Sequence, residues 1–250
     1  ILLSGCTATV PSQYTEADAL PVIHPAYSDI TIPCNIAPLN VAYEMEGEEF
    51  VTELKTEGQS LVMKGKQTDW KIKQWQTLLA SAKGETIELS VYVKTDQGWV
   101  KYRPIKWKVA EEPIDPYISY RIIAPSYVTY EELSIRQREL ATFDEQMVYN
   151  NMLLSTDKDG QCINCHSYKN YKTDNMQFHA RQYKGGTLLV TTDGVKKINL
   201  KTDSTISAGV YPAWHPTHNF IAYSINDTGQ SFHTKKNNKI EVQDLKSDLI

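Results

Sequence analysis

Alternation of apolar and polar residues with a period of two is the feature that most restricts the fold of this chain. The segment TIELSVYVKT, residues 86–95, places its branched aliphatic side chains on one face of an extended strand. A second alternating run, WVKYRPIKWKV, begins directly after the turn Asp96-Gln97-Gly98. Two such runs across a short turn that contains glycine predict a β-hairpin.

The same pattern extends over residues 31–110, which we expect to form a small sandwich of the immunoglobulin or fibronectin type. Two further candidate strands are EEFVTELKT and QSLVMKG. Between the two pairs of strands, KQWQTLLASAKG predicts a short helix that ends at Gly84. Trp99 and Trp107 are interpreted as packing residues, because aromatic side chains dominate core burial.

Two short helices are predicted in the middle of the chain. Thr129-Tyr130-Glu131-Glu132 and Thr142-Phe143-Asp144-Glu145 both match a capping box, the signal that opens a helix. They predict helices over about 130–141 and 143–154. Residues 111–182 are therefore expected to be a connector with a helical character.

The strand pattern returns after Met176. The runs TLLVTT and VKKINL flank Asp193-Gly194 and predict another hairpin. The segments YPAWHPTHNFIAYSIN and NKIEVQDLKSDLI follow, and the chain stops within this β pattern. We expect a mainly β protein with a small α segment, truncated at both ends.

Charge and hydropathy exclude some functions. The formal net charge is −4, and the basic residues form no tract or nucleic-acid motif, so no nucleic acid is expected as a partner. No segment approaches the run of about 20 apolar residues that a membrane-spanning helix needs.

The first residues predict a lipid anchor. Leu3-Ser4-Gly5-Cys6 reads as a lipobox, the end of a bacterial lipoprotein signal peptide whose start is missing. Cys6 would then carry the acyl chains, and the polar, proline-broken residues 7–30 would be a tether to the first folded unit. A chance match to the lipobox is the alternative.

The sequence GQCINCHSYKNY contains the motif that carries chemistry. Cys162, Cys165 and His166 have the Cys-x-x-Cys-His spacing of c-type haem attachment. One turn of helix would bring both thiols to the porphyrin, and the adjacent imidazole would be the proximal iron ligand. A zinc site would lack a ligand, because only His179 is nearby. A redox disulfide would leave His166 without a role, and a chance match also stays open.

The sequence constrains the distal ligand of the haem iron less than the proximal one. In KTDNMQFHARQ, Met176 is the first choice and His179 the alternative, and a methionine would raise the haem potential relative to a second histidine. Met147 and Met152 are further candidates, although their spacing within the predicted helix favours the core. Arg181, like Lys172, could neutralise a haem propionate.

The remaining cysteine and two histidines receive structural interpretations. Cys34 lies between prolines in an apolar context and is read as a small buried hydrophobe. His215 and His218 are read as turn residues and not as metal ligands.

Two segments resemble known families. QCINCHSYKNY…NMQFHAR is similar to the cytochrome c-like segment of bacterial lipoproteins in which that segment is joined to a TolB-like, WD-repeat-like propeller. GVYPAWHPTHNFIAYSIN…NKIEVQDLKSD resembles one repeat of that propeller through the residues Pro212, Trp214, Pro216, Ile221, Ala222 and Tyr223. Thr217-His218-Asn219 departs from the usual Asp-Gly. With the lipobox, the combination resembles lipoproteins of Bacteroidota.

The residue patterns, together with the resemblance for the haem-binding and propeller segments, predict an organisation in five segments. These are the end of the signal peptide (1–6), the tether (7–30), the β-sandwich (31–110), the connector with the haem-binding segment (111–182) and the first part of a TolB-like β-propeller (183–250). The expected location is the outer membrane of a Gram-negative bacterium, facing the periplasm.

The expected function is single-electron transfer by a lipid-anchored c-type cytochrome with one covalent haem and a redox protein as its partner. The alternative is a binding or scaffold lipoprotein whose propeller carries the interaction and whose haem is structural or sensory. A haem peroxidase is the enzymatic alternative, which a Met176 ligand would exclude. No Gly-x-Ser-x-Gly motif supports a hydrolase.

Overall fold

The computed structural model describes residues 8–123, 130–154, 160–234 and 240–250. Within these residues the chain is mainly β, with one α-helix, so the expected fold class is confirmed at that level. The chain divides into two compact units. Unit 1 contains the described residues up to Ile118 together with Arg138–Glu145, and unit 2 contains those of Ser119–Gln137 and Gln146–Ile250.

Unit 1 is built on a seven-stranded sheet and a two-stranded sheet. Its elements up to residue 109 are β1 (Thr15–Ala17), β2 (Ile23–His24), β3 (Ile30–Ile32), β4 (Ala42–Tyr43), β5 (Glu49–Lys55), β6 (Ser60–Lys64), α1 (Ile72–Ser81), β7 (Thr86–Thr95), β8 (Gly98–Tyr102) and β9 (Ile105–Val109).

Strand β7 is the centre of the larger sheet. It pairs with β5 along most of its length, with β8 through its second half and with β9 through its first half. The main path runs β1-β8-β7-β5-β6, and β3 is attached through β9. The hairpin predicted across Gly98 is therefore confirmed. The candidate strands EEFVTELKT and QSLVMKG are also confirmed, and they pair with each other as β5 and β6.

The core of unit 1 lies against β7 and α1. The branched residues of β7 that share one face are fully buried, and Trp75, Leu78 and Leu79 of α1 belong to the same apolar cluster. Trp75 and Trp107 meet edge to face with ring centroids 6.2 Å apart. Their indole N–H groups donate to backbone carbonyls at 2.8 and 2.6 Å, which satisfies both buried donors.

Two predictions for unit 1 have different outcomes. The helix is confirmed as α1, and Gly84 follows its end with φ +82°, a conformation that glycine adopts at little steric cost. The prediction that residues 7–30 form a tether is wrong from Thr15 onward. Here β1 pairs with β8, and Ile23 is buried because it packs into the core.

The rest of the chain forms three antiparallel sheets. Their orders are β10-β11-β12, β13-β14-β15-β16 and β17-β18-β19. The strands are β10 (Tyr117–Ile122), β11 (Ser134–Glu139), β12 (Glu145–Asn150), β13 (Gln161–Tyr168), β14 (Met176–Gln182), β15 (Gly186–Thr191), β16 (Gly194–Ile198), β17 (Val210–Trp214), β18 (Ile221–Phe232) and β19 (Ile240–Leu249). The hairpin predicted at Asp193-Gly194 is confirmed as β15-β16.

The prediction of two helices over residues 130–141 and 143–154 is wrong. The first capping box opens only a 3₁₀ turn, Tyr130–Glu132, and β11 and β12 follow. The only other helical element between the described residues 130 and 182 is the 3₁₀ turn Lys169–Tyr171. A capping box starts a helix only when the following residues favour the helical conformation, and here the following residues pair as strands instead.

The first prediction concerns the core of unit 1. We expect Ile87→Ala to lower the free energy of unfolding by about 2–5 kcal/mol, because Ile87 is fully buried and its truncation leaves a cavity. Chemical denaturation would measure this. The matched variant Ile118→Ala, at a side chain that is 48% exposed, should lose less than about 1 kcal/mol. Equal losses would contradict the assignment of the core.

Candidate functional site

Strand β13 carries the cysteine motif along the edge of the four-stranded sheet of unit 2. Its partner β14 runs antiparallel, with Ile163 opposite Ala180 and Asn164 opposite His179. Beyond an irregularity the register resumes with Ser167 opposite Gln177. The motif therefore lies on a strand, and the helical turn expected for it is wrong.

The irregularity is a β-bulge in which Cys165 and His166 together oppose the single residue Phe178. Cys165 has φ +52°, in the left-handed region that residues other than glycine seldom adopt. Two hydrogen bonds hold it there. The Cys165 N–H donates to Asn164 Oδ1 at 2.9 Å, and the amide of Gln177 donates to the Cys165 carbonyl at 2.6 Å.

A cavity of about 870 Å³ lies beside the bulge, within unit 2. Cys165, Asn164, His179 and Thr187 line it from the four-stranded sheet, and residues of β17, β18 and β19 complete the wall. Its volume falls in the range of about 300–1,000 Å³ that small-molecule and cofactor sites occupy. The cavity can therefore take a ligand of cofactor size.

His179 is the buried titratable group of this cavity. It is 5% exposed, and its Nδ1 is hydrogen-bonded to Thr187 Oγ1 at 2.8 Å. Its Nε2 is buried without a hydrogen-bond partner. Burial and, to a smaller extent, the charge of nearby Arg181 lower the pKa of His179 to about 4, so the ring is neutral at pH 7.

His166 lies on the other face of the strand. Its ring contacts Tyr168, with centroids 6.3 Å apart, and Tyr168 pairs with Met176 on the face of the apolar cluster. Burial lowers the pKa of His166, the charge of Arg121 lowers it too, and a hydrogen bond to the backbone of Ser119 opposes them. His166 does not line the cavity.

Met176 is a member of the apolar cluster of unit 2. It is 4% exposed and belongs to the same cluster as Ile163 and Phe178. Since His179 is three residues further along β14, alternation places the two side chains on opposite faces of the sheet. Met176 does not line the cavity.

The cysteines of the described residues all carry free thiols. Cys165 lines the cavity, whereas Cys162 contacts the apolar cluster of unit 2. Cys34 packs against the core of unit 1, and its thiol lies 3.6 Å from the carbonyl oxygen of Glu111. The candidate lipidation site Cys6 lies outside the described residues.

The cavity wall carries more positive than negative charge. Arg121, Arg181 and Lys201 line it, with Asp244 as the one acidic residue among the described lining. Arg121 donates a hydrogen bond to the side chain of Asn164 and is thereby held beside the motif. Lys172, the other cation suggested for a propionate, is exposed and does not line the cavity.

The other residues singled out in the sequence lie elsewhere. Met147 is an exposed residue of β12, and Met152 follows that strand. His215 stabilises its own turn, because its Nδ1 accepts a hydrogen bond from the backbone N–H of His218 at 2.9 Å. Of the ligands predicted from the motif and its neighbours, the cavity brings together only Cys165 and His179.

The donor set fits a covalently attached haem in its chemistry. Two free thiols three residues apart and two imidazoles held in the neutral form are the groups that haem c requires. The wall also offers cations for acidic substituents. His166 and Cys162 are the members of the motif that do not line the cavity.

Sequence reasoning missed Thr187 and Gln177, which orient His179 and the bulge. Neither residue belongs to a motif, and the signal that identifies them is their burial, at 3% and 0% exposure.

Among the described residues, no group of three or more histidine, cysteine or acidic side chains is arranged to hold a metal ion by itself. None of the described helices is long and apolar enough to cross a membrane.

Comparisons with family models, with curated proteins and with solved structures find no match to this chain. The resemblance to cytochrome-bearing, TolB-like lipoproteins therefore depends on the motifs alone.

The second prediction concerns the pH dependence of stability in protein produced without haem-attachment machinery. Between pH 6.5 and about 4 the unfolded chain binds a proton at His179 that the folded chain does not. The free energy of unfolding should therefore fall as the pH is lowered through this window, by up to about 1.4 kcal/mol per pH unit from this residue. His166, whose pKa is also lowered, acts in the same direction.

Urea denaturation between pH 4 and 7 would measure this slope. We expect His179→Gln to reduce it, while the control His218→Gln, at an exposed position, should leave it unchanged. A slope that is the same in wild type and His179→Gln would contradict the burial of this imidazole.

Proposed function

We propose that unit 2 binds one haem covalently through Cys162 and Cys165 and serves in single-electron transfer. The observation that carries the proposal is the motif itself, whose two thiols are free and whose His166 has a lowered pKa. Each thiol would add across one vinyl group. Cys162 and Cys165 would then hold the group through two sulfur–carbon bonds, with each thiol hydrogen taken up by the other vinyl carbon.

His166 is the ligand that the motif supplies. Its lowered pKa keeps the ring in the neutral form that binds iron. The bond to the backbone of Ser119 is the kind of outer-shell contact that orients a ligating histidine.

When bound, haem supplies an iron centre that gains and loses one electron. The residues of this chain would hold that group and set its surroundings. Arg121, whose charge lowers the pKa of His166, and Arg181, which is opposite Cys162 in the β13-β14 pair, would favour acidic substituents beside the motif. Charge beside a haem is one of the properties by which a protein adjusts its reduction potential.

The lipobox supports an anchored location. Acylation of Cys6 would attach the protein to the outer membrane, facing the periplasm, where thiols reach the haem-attachment machinery after export.

A binding or scaffold role is the second candidate. The observation that favours it is the exposure of four large apolar side chains of β18 and β19, namely Phe232, Val242, Leu245 and Leu249, each of which is more than half exposed. Apolar side chains exposed in this way can take part in interaction sites. In that case the haem would be structural or sensory.

The third prediction tests the proposed haem. Protein produced in a host with haem-attachment machinery should show the sharp reduced visible bands of a low-spin haem. Cys162→Ala/Cys165→Ala should lose these bands, while Cys34→Ala, at the remaining described thiol, should keep them. Spectroelectrochemistry should give a reversible transition with one electron.

A colourless wild-type protein would overturn the cytochrome proposal and leave the binding role. A coloured protein whose iron turns over peroxide, without a reversible one-electron transition, would favour the peroxidase alternative instead.

The fourth prediction concerns the anchor. Fatty-acid labelling of the full-length precursor should be lost in Cys6→Ala, and the protein should then leave the membrane fraction, because acyl chains supply the attachment. The variant Cys34→Ala should be labelled and sedimented like wild type. Labelling that persists in Cys6→Ala would contradict the lipobox.

A further inference from the structure

The cavity of unit 2 is largely separate from the cysteine motif. Of the motif, Cys165 lines the cavity, whereas Cys162 and His166 do not. A haem held by Cys162 and His166 would therefore not be a ligand of this cavity. The rest of the wall is hydrophilic, and its residues are suited to a different kind of ligand.

One buried atom of the wall has no partner in the protein. His179 is 5% exposed, and its Nε2 is buried without a hydrogen bond. Among the described residues that have such an atom, His179 is the one that lines the cavity. A buried polar atom without a partner is unfavourable, so a ligand that forms a hydrogen bond with Nε2 is bound more tightly.

Thr187 determines the role that Nε2 takes. It is directly opposite His179 in the β14-β15 pair, and its hydroxyl is hydrogen-bonded to Nδ1 at 2.8 Å. When the hydroxyl donates to Nδ1, the single ring proton of the neutral imidazole is on Nε2, which then donates to a ligand. An oxygen atom of an acid is a suitable acceptor for this hydrogen bond.

Two cations of the wall also lack a partner. The side chains of Arg181 and Lys201 line the cavity and form no ion pair or hydrogen bond with the described residues. Together with Arg121 they outnumber Asp244, the one acidic residue of the described lining. This excess of positive charge favours a ligand with negative charge, and a guanidinium group matches the geometry of a carboxylate.

The other polar residues of the wall suit a ligand with hydroxyl groups. Asn199, Asn226 and Gln230 carry amides, and Ser207 and Thr228 carry hydroxyls. Both kinds of group donate and accept hydrogen bonds, as the hydroxyls of a ligand do. An extended apolar ligand would remove water from these groups without replacing its hydrogen bonds, which disfavours such a ligand.

We propose that this cavity binds a small organic acid that carries several hydroxyl groups, such as an acidic sugar. Arg181 and Lys201 bind its carboxylate, and Nε2 of His179 donates to one of its oxygen atoms. The amides and hydroxyls of the wall bind its hydroxyl groups. The volume of about 870 Å³ is in the range of small-molecule sites. The proposal does not depend on the proposed haem.

The fifth prediction is tested by isothermal titration calorimetry on the full chain, produced with haem-attachment machinery. The probes are D-glucuronate and D-galacturonate, and the neutral controls are D-glucose and D-galactose, which lack the carboxylate. We expect at least one acid to bind with a Kd below about 1 mM. Its neutral counterpart should bind about tenfold more weakly or worse, because the charge-assisted hydrogen bonds are lost.

Variants of the wall test the residues. Lys201→Met removes one cation at an exposed position and should weaken binding of the acid about tenfold. The matched control Lys196→Met, at an exposed cation of β16 outside the described lining, should bind like wild type. His179→Leu removes the Nε2 donor and should also weaken binding. Should His179→Leu fail to fold, Lys201→Met and the neutral sugars still decide.

The proposal is overturned if neither acid binds with a Kd below about 1 mM, if the neutral sugars bind as tightly, or if Lys201→Met binds like wild type. Inorganic phosphate that binds as tightly as the acids would overturn the role of the hydroxyl groups. A colourless protein that still binds the acid would overturn only the proposed function.

Discussion

The hydrogen bond from the Gln177 amide to the carbonyl of Cys165 holds the bulge on which the rest of the site depends. It keeps two residues of β13 opposite one residue of β14 and stabilises a backbone conformation that is uncommon for cysteine. As a result, Cys165 lines the cavity while His166 lies on the face of the apolar cluster. A regular strand would shift the register and move every later side chain to the other face.

Strands β5 to β9 of unit 1 could be predicted because their signal is local, whereas β1 to β4 have only two or three residues each and lack such a signal. The clearest runs alternate with a period of two, and the turn carries glycine where the chain must adopt a positive φ, as at Gly98. The helices expected after Thr129 and Thr142 were wrong because a capping box is a signal for the start of a helix only. It does not fix the conformation of the residues that follow, and here these residues pair in the consecutive strands β10-β11-β12.

The sequence predicts a chemistry for the candidate site but not its geometry. The spacing of Cys162, Cys165 and His166 predicts a c-type haem, but it says nothing about the face of the sheet to which each side chain belongs. That depends on a bulge whose stabilising partner, Gln177, lies on another strand. The preference for Met176 over His179 came from position along the chain, and it took no account of the alternation that separates them.

The central claim is that β13 carries a covalently bound haem, and intact-protein mass spectrometry of material recovered from a periplasm tests it most directly. The account predicts a mass increase of one haem, located by fragmentation on a peptide that contains residues 161–168. An unmodified mass in protein made alongside active haem-attachment machinery would contradict it.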